Sequence, residues 1–133
     1  MNETTEPHCL VQVTVTDGMP PLGSLRTRIV TSLPGLPDQT VSDIEVVATE
    51  LLTNAYLHGR PPAHFYLFRV DPTRLRVEVV DGGAAMPQVM HPDISEEHGR
   101  GLLLVAGMSA SWGVMKTGAG KTVWAEFVVP PTG

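Results

Sequence analysis

Three short stretches of the chain carry groups whose types and spacing could do chemistry. The first is ATELLTNAYLHG, residues 48–59, which sets Glu50 and Asn54 four residues apart in a largely apolar run. Four residues is about one helical turn, so a carboxylate and an amide oxygen would stack on one helix face. Such a pair suits a hard cation such as Mg²⁺, which takes oxygen ligands and keeps several waters. The carboxylate could equally serve as a general base. Taken alone, the pair fits a solvated helix flank more simply, so its meaning depends on what else the chain supplies.

The second stretch is Val77-Glu78-Val79-Val80-Asp81-Gly82-Gly83. An acid at the end of a strand, followed by two glycines, lets a ligand approach the carboxylate closely. It could accept a hydrogen bond from an exocyclic amine, as on adenine; the plain alternative is an Asp-Gly turn. The third stretch is Gly99-Arg100-Gly101, ahead of the apolar Leu102-Leu103-Leu104. Glycines at the start of a helix expose backbone N–H groups at the positive end of its dipole, an anion site that would suit a triphosphate with Arg100 nearby. A Gly-rich helix start without a ligand is the other reading.

Other candidates are weaker. Gly118-Ala119-Gly120-Lys121-Thr122 ends like a P-loop, but the first required glycine falls on Met115 and the segment joins two strands, so that reading is rejected. His91 and His98, with Asp93, Glu96 and Glu97, lack a recognised metal-ligand spacing. His58 suits a helix C-terminus. Cys9 reads as a small buried hydrophobe, and Trp112 and Trp124 as core.

Elements must position these groups. Leu10–Thr16 alternates as a half-buried strand, with Val11, Val13 and Val15 on one face. A short helix through Leu25, Ile29 and Val30 follows, and Leu33-Pro34-Gly35-Leu36-Pro37 ends it. Asp38 or Thr40 can cap the next helix, whose apolar stripe is Val41, Ile44, Ala48, Leu51, Leu52 and Ala55. Glu50 and Asn54 lie on its flank with Val46, Val47 and Leu57. Gly59 is a natural C-cap, and Pro61-Pro62 forbids continuation.

Strands His64–Val70 and Arg74–Asp81 form a hairpin about Asp71-Pro72-Thr73, and Gly82–Gly101 reads as a long polar loop. A short helix, Leu102–Met108, precedes a last hairpin of Ala110–Lys116 and Thr122–Val129. Tight hairpins with interspersed helices predict an α+β two-layer sandwich, a mostly antiparallel sheet with helices on one face. The strand order does not follow from the pattern.

With 133 residues and 42% hydrophobic content, the chain suits one domain, expected at 9–130 behind a disordered tail at 1–8. The net charge of −5 and nine scattered basic residues argue against nucleic acid as a direct partner. No apolar run is long enough to cross a bilayer. One cysteine and no signal-peptide pattern point to a reducing cytoplasm.

The order of the motifs is more specific than any one of them. E-x-x-x-N on a helix, D-x-G at a strand end, a variable lid, G-x-G before a helix and a final G-x-T hairpin resemble the GHKL ATPase superfamily. ELLTNAYLHG, VEVVDGG and HGRGLLLV, with the WGV and GKTVWAEF strands, look like the small bacterial anti-sigma-factor serine/threonine kinases. The resemblance runs from about Leu10 to Val129 and implies a Bergerat-type ATP-binding fold. It also implies ATP and Mg²⁺ as ligands, a sigma factor and its antagonist protein as partners, and a homodimer.

Carried over by position, Glu50 would be the general base and Asn54 the Mg²⁺ ligand. Asp81 would accept the adenine amino hydrogen bond, and Gly83 would permit close approach. Gly99, Arg100, Gly101 and Leu102 would cradle the phosphates, and Thr122 would contact the adenine side. The family's D-x-G-x-G reads Asp81-Gly82-Gly83-Ala84-Ala85 here, and the lid Ala84–His98 is short. That departure motivates an alternative function, a non-catalytic ATP-binding module working by nucleotide-dependent protein binding.

Overall fold

The computed structural model describes residues 7–82, 96–118 and 120–131. Its elements run β1 (His8–Val15), α1 (Leu22–Ser32), α2 (Asp38–His58), β2 (Ala63–Asp71), β3 (Arg74–Asp81), α3 (Glu96–Met108), β4 (Ser111–Thr117) and β5 (Gly120–Val128). The five strands form one sheet in the order β1-β2-β3-β5-β4, every neighbouring pair antiparallel. This is the expected α+β sandwich.

Period-two alternation divides the sheet into two faces. Phe65 and Leu67 of β2, Leu75, Val77 and Val79 of β3, and Val123, Ala125 and Phe127 of β5 are all buried. They form one core with Leu25 and Ile29 of α1 and with Ile44, Val47, Ala48, Leu51, Leu52 and Ala55 of α2. The opposite face carries polar and aromatic groups. Tyr66 and Phe68 stack with ring centroids 5.5 Å apart, and the Arg76 guanidinium lies 4.3 Å from the Trp124 ring centroid. Arg76 also pairs with Glu78 at 2.6 Å and Glu126 at 2.8 Å. Trp124 is therefore no core residue, because it shares its face with Glu126 and Thr122. Trp112, on the other face, packs against the core as expected.

Local chemistry shapes the element ends. Neither Asp38 nor Thr40 caps α2: Pro37 precedes the helix and Asp38 is its first residue, where its charge still complements the dipole. Val47, expected on the flank, is fully buried, whereas Val30 of α1 is half exposed. Cys9, expected to be buried, is exposed. In the β2–β3 turn, Asp71 accepts hydrogen bonds from the Thr73 backbone N–H at 2.8 Å and from Arg74 Nε at 3.0 Å. Those contacts, the backbone bond foremost, hold its carboxyl below the usual range. Among the described residues, no helix is long and apolar enough to cross a membrane.

Candidate functional site

The last residue of β3 is the most enclosed polar group described. Asp81 continues the inward series Leu75, Val77, Val79, so the pleat drives its carboxylate toward the helix layer. Its side chain is 1% exposed. Lys121, its register partner on β5, is 6% exposed by side chain and places Nζ 3.2 Å from each carboxylate oxygen. A buried carboxylate is costly unless its charge is met, and this ammonium meets it.

Two glycines let other chain segments close on Asp81. A Cβ on Gly59 would lie 2.6 Å from the Asp81 carboxyl carbon, so the α2 terminus packs its bare backbone against the carboxylate. A Cβ on Gly120 would collide with the Asp81 carbonyl oxygen. The Gly82 N–H donates to the Arg60 carbonyl at 3.1 Å, tying the end of β3 to the segment leaving α2. Gly59 itself has φ −97 and ψ −160, extended rather than left-handed. Gly59 is the C-cap of α2 as expected, its N–H donating to the Ala55 carbonyl, and its extended conformation leaves space as the property that glycine supplies here.

Along α2, Glu50 and Asn54 are both half-buried and lie one turn apart on one flank. Five residues beyond Asn54 the chain reaches Gly59 and thus Asp81. Glu50 lies about 14 Å from Gly59 along the axis, at about 1.5 Å per residue. The helix that carries Glu50 and Asn54 thus ends against the buried acid of β3. A separate cavity of about 150 Å³ lies on the opposite flank, lined by Val15, Pro20, Leu52, Ala55, Tyr56 and Ala63. Glu50 and Asn54 take no part in it.

The glycine segment differs from expectation. Gly99, Arg100 and Gly101 lie inside α3 and do not precede it. Gly101 and Leu102 stand six and seven residues into the described part of the helix, where backbone amides are engaged in the helix's own hydrogen bonds. The expected cradle through Gly101 and Leu102 is corrected accordingly. Leu102 is buried as well, at 2% exposure. Gly83, Ala85, His91 and Asp93 lie outside the described residues.

Thr122 is also displaced from its expected place. It pairs with Val80 and falls on the face away from Asp81, so its side chain does not join this cluster. The β5 residue that does is Lys121, which the motifs include only within the rejected P-loop reading. A signal for it exists in the sequence. Val123, Ala125 and Phe127 alternate inward, and the same alternation carries Lys121 inward and Thr122 outward.

With this geometry in view, one family model fits most of the chain. The family model of the histidine kinase-like ATPase domain matches residues 11–127, and the chain belongs to that family. In fold it is similar to the crystal structure of the RsbU and RsbW domains of Rv1364c from Mycobacterium tuberculosis. That match has a TM-score of 0.68 and 17% identity, covering 96% of this chain and 34% of that one. The histidine kinase domain of the blue-light activated histidine kinase EL346 from Erythrobacter litoralis is also similar. There the TM-score is 0.54 and the identity 25%, covering 80% of this chain and 58% of that one. The chain thus spans about a third and somewhat over half of these two structures. No curated protein sequence matches it significantly.

Proposed function

We propose that the chain is an ATP-dependent protein serine/threonine kinase, an anti-sigma regulator that holds a sigma factor and phosphorylates its antagonist protein. The observation that carries this reading is the meeting of α2 with the end of β3. Gly59 lies against the Asp81 carboxylate, and the same helix presents Glu50 and Asn54 further back. That arrangement suits a nucleoside triphosphate lying along the helix, base toward Asp81 and phosphates toward Asn54.

The residues fit such a ligand. Asp81 offers a shielded acceptor for an exocyclic amine, where a hydrogen bond discriminates well because water competes poorly. Asn54 supplies a neutral oxygen in a half-open position, which suits Mg²⁺, a cation that retains several waters. Mg²⁺, when bound there, would neutralise phosphate charge. Glu50, one turn back, would accept the proton of the attacking hydroxyl. The Gly99-Arg100-Gly101 segment of α3 would lie toward the phosphates, as the family resemblance implies. Phosphoryl transfer asks little more of a protein than such positioning and charge neutralisation. A cytoplasmic homodimer belongs to the same reading.

The test is transfer of label from γ-labelled Mg-ATP to the cognate antagonist. Wild-type protein is expected to phosphorylate it, and Glu50→Ala to lose transfer while still binding ATP. Normal transfer by Glu50→Ala overturns the general-base role. ATP binding with no transfer to any partner would favour the non-catalytic binding module.

A further inference from the structure

β5 brings into the site one group for which the proposed chemistry has no role. The Lys121 ammonium straddles both oxygens of Asp81, 3.2 Å from each, with both side chains almost wholly out of water. Gly59 closes another side of the same carboxylate. An exocyclic amine has to reach one of those two oxygens, and the ammonium stands over both. The Gly59 side of the enclosure is main chain, tied down through the Gly59 N–H to the Ala55 carbonyl at 2.9 Å. The Lys121 side is a flexible four-carbon stem with a charged head that water solvates strongly.

We propose that Lys121 is an internal occupant of the base-reading carboxylate, and that a nucleotide enters by displacing its ammonium. Lys121 thereby sets the affinity of the site. The proposal rests on Asp81 as the base reader. With Lys121 in place only a fraction of molecules offers an open carboxylate, and the apparent dissociation constant rises as that fraction falls. Binding exchanges a buried ion pair for an amine–carboxylate hydrogen bond and returns the ammonium to water. Thr122 cannot substitute, because it faces the other side of the sheet.

The test is calorimetric titration of Mg-ATP into the wild type, Lys121→Met, Lys121→Arg and Asp81→Asn. Lys121→Met keeps bulk and removes charge, and is expected to bind about tenfold tighter than wild type. Lys121→Arg retains a cation and is expected to gain nothing; Asp81→Asn is expected to bind more weakly. Lys121→Met binding no tighter than wild type, with Asp81→Asn still weakened, overturns the displacement idea alone. Asp81→Asn binding like wild type overturns Asp81 as base reader, and the proposal with it. No binding by any form overturns the nucleotide site as a whole.

Lys121→Met removes the ammonium from a buried carboxylate and could fail to fold, so a second measurement uses the unaltered protein. Acylation of Lys121 by an amine-reactive reagent, followed by mass spectrometry, is expected to be slow in the free protein and faster with saturating Mg-ATP. Protection that is unchanged or deepened by nucleotide overturns the displacement.

Discussion

Replacing Gly59 by alanine adds one methyl group at the tightest approach in the site. The backbone there, φ −97 and ψ −160, lies in a region open to any residue, so strain of the main chain contributes nothing. The new Cβ would stand 2.6 Å from Asp81 Cγ and 2.6–2.7 Å from its oxygens, about 0.8 Å inside ordinary contact at 3.4 Å. The carboxylate cannot retreat without disturbing its bond to Lys121, and α2 cannot lift without opening the core beneath Ala55. Overpacking of this kind costs about 1–3 kcal/mol. At about 2.1 cal/mol/K of unfolding entropy per residue, a chain of 133 residues should lose about 4–11 °C in Tm. Scanning calorimetry reads that change, and Mg-ATP titration should show weakened binding as Asp81 is displaced. Gly59→Asn sharpens the comparison. At a left-handed cap asparagine is the best substitute, whereas here its larger side chain should do more damage than alanine. An unchanged Tm and affinity in Gly59→Ala, or a well-tolerated asparagine, would show that the close approach does not limit this position.

Two further predictions concern groups away from the site. Gly107 sits inside α3, and a methyl group added there would have no atom within 4 Å. Gly107→Ala should therefore stabilise by about 0.5–1 kcal/mol through helix propensity, read as a rise in Tm. Asp71 has its carboxyl held low, chiefly by the Thr73 backbone N–H and further by Arg74 and the Thr73 hydroxyl, against an opposing desolvation effect. A depressed folded value means the carboxylate's contribution is present above the ordinary 3.8 and is lost as pH falls through the folded value. Asp71→Asn should flatten the acid limb of the stability–pH curve followed by circular dichroism, and an unaltered acid limb would contradict this.

Much of the architecture is legible in the sequence because alternation and turn chemistry are local. The β3 boundaries, Arg74–Asp81, match the expectation, and both hairpins form where their turn residues stand. Strand order is not legible, since nothing local says that β5, rather than β4, pairs with β3. That the helix already includes residues 96–101 is hidden because this segment, with two glycines, has poor intrinsic helix preference. Of the candidate site, Asp81 and the Glu50/Asn54 pair are visible as types at spacings. Gly59 suggests a cap because glycine after a helix commonly serves as one, and its contact with Asp81 is a property of tertiary approach alone. Lys121 stands beside a motif that draws attention to Thr122, although the inward alternation of β5 already points to the lysine.

Whether α2 and the end of β3 frame a site for Mg-ATP is decided by calorimetric titration with ATP in the presence and absence of Mg²⁺. Saturable one-to-one binding is expected, weakened by withdrawal of Mg²⁺, by Asn54→Ala and by Asp81→Asn. Absence of saturable binding, or binding indifferent to Mg²⁺ and to both substitutions, would rule that site out.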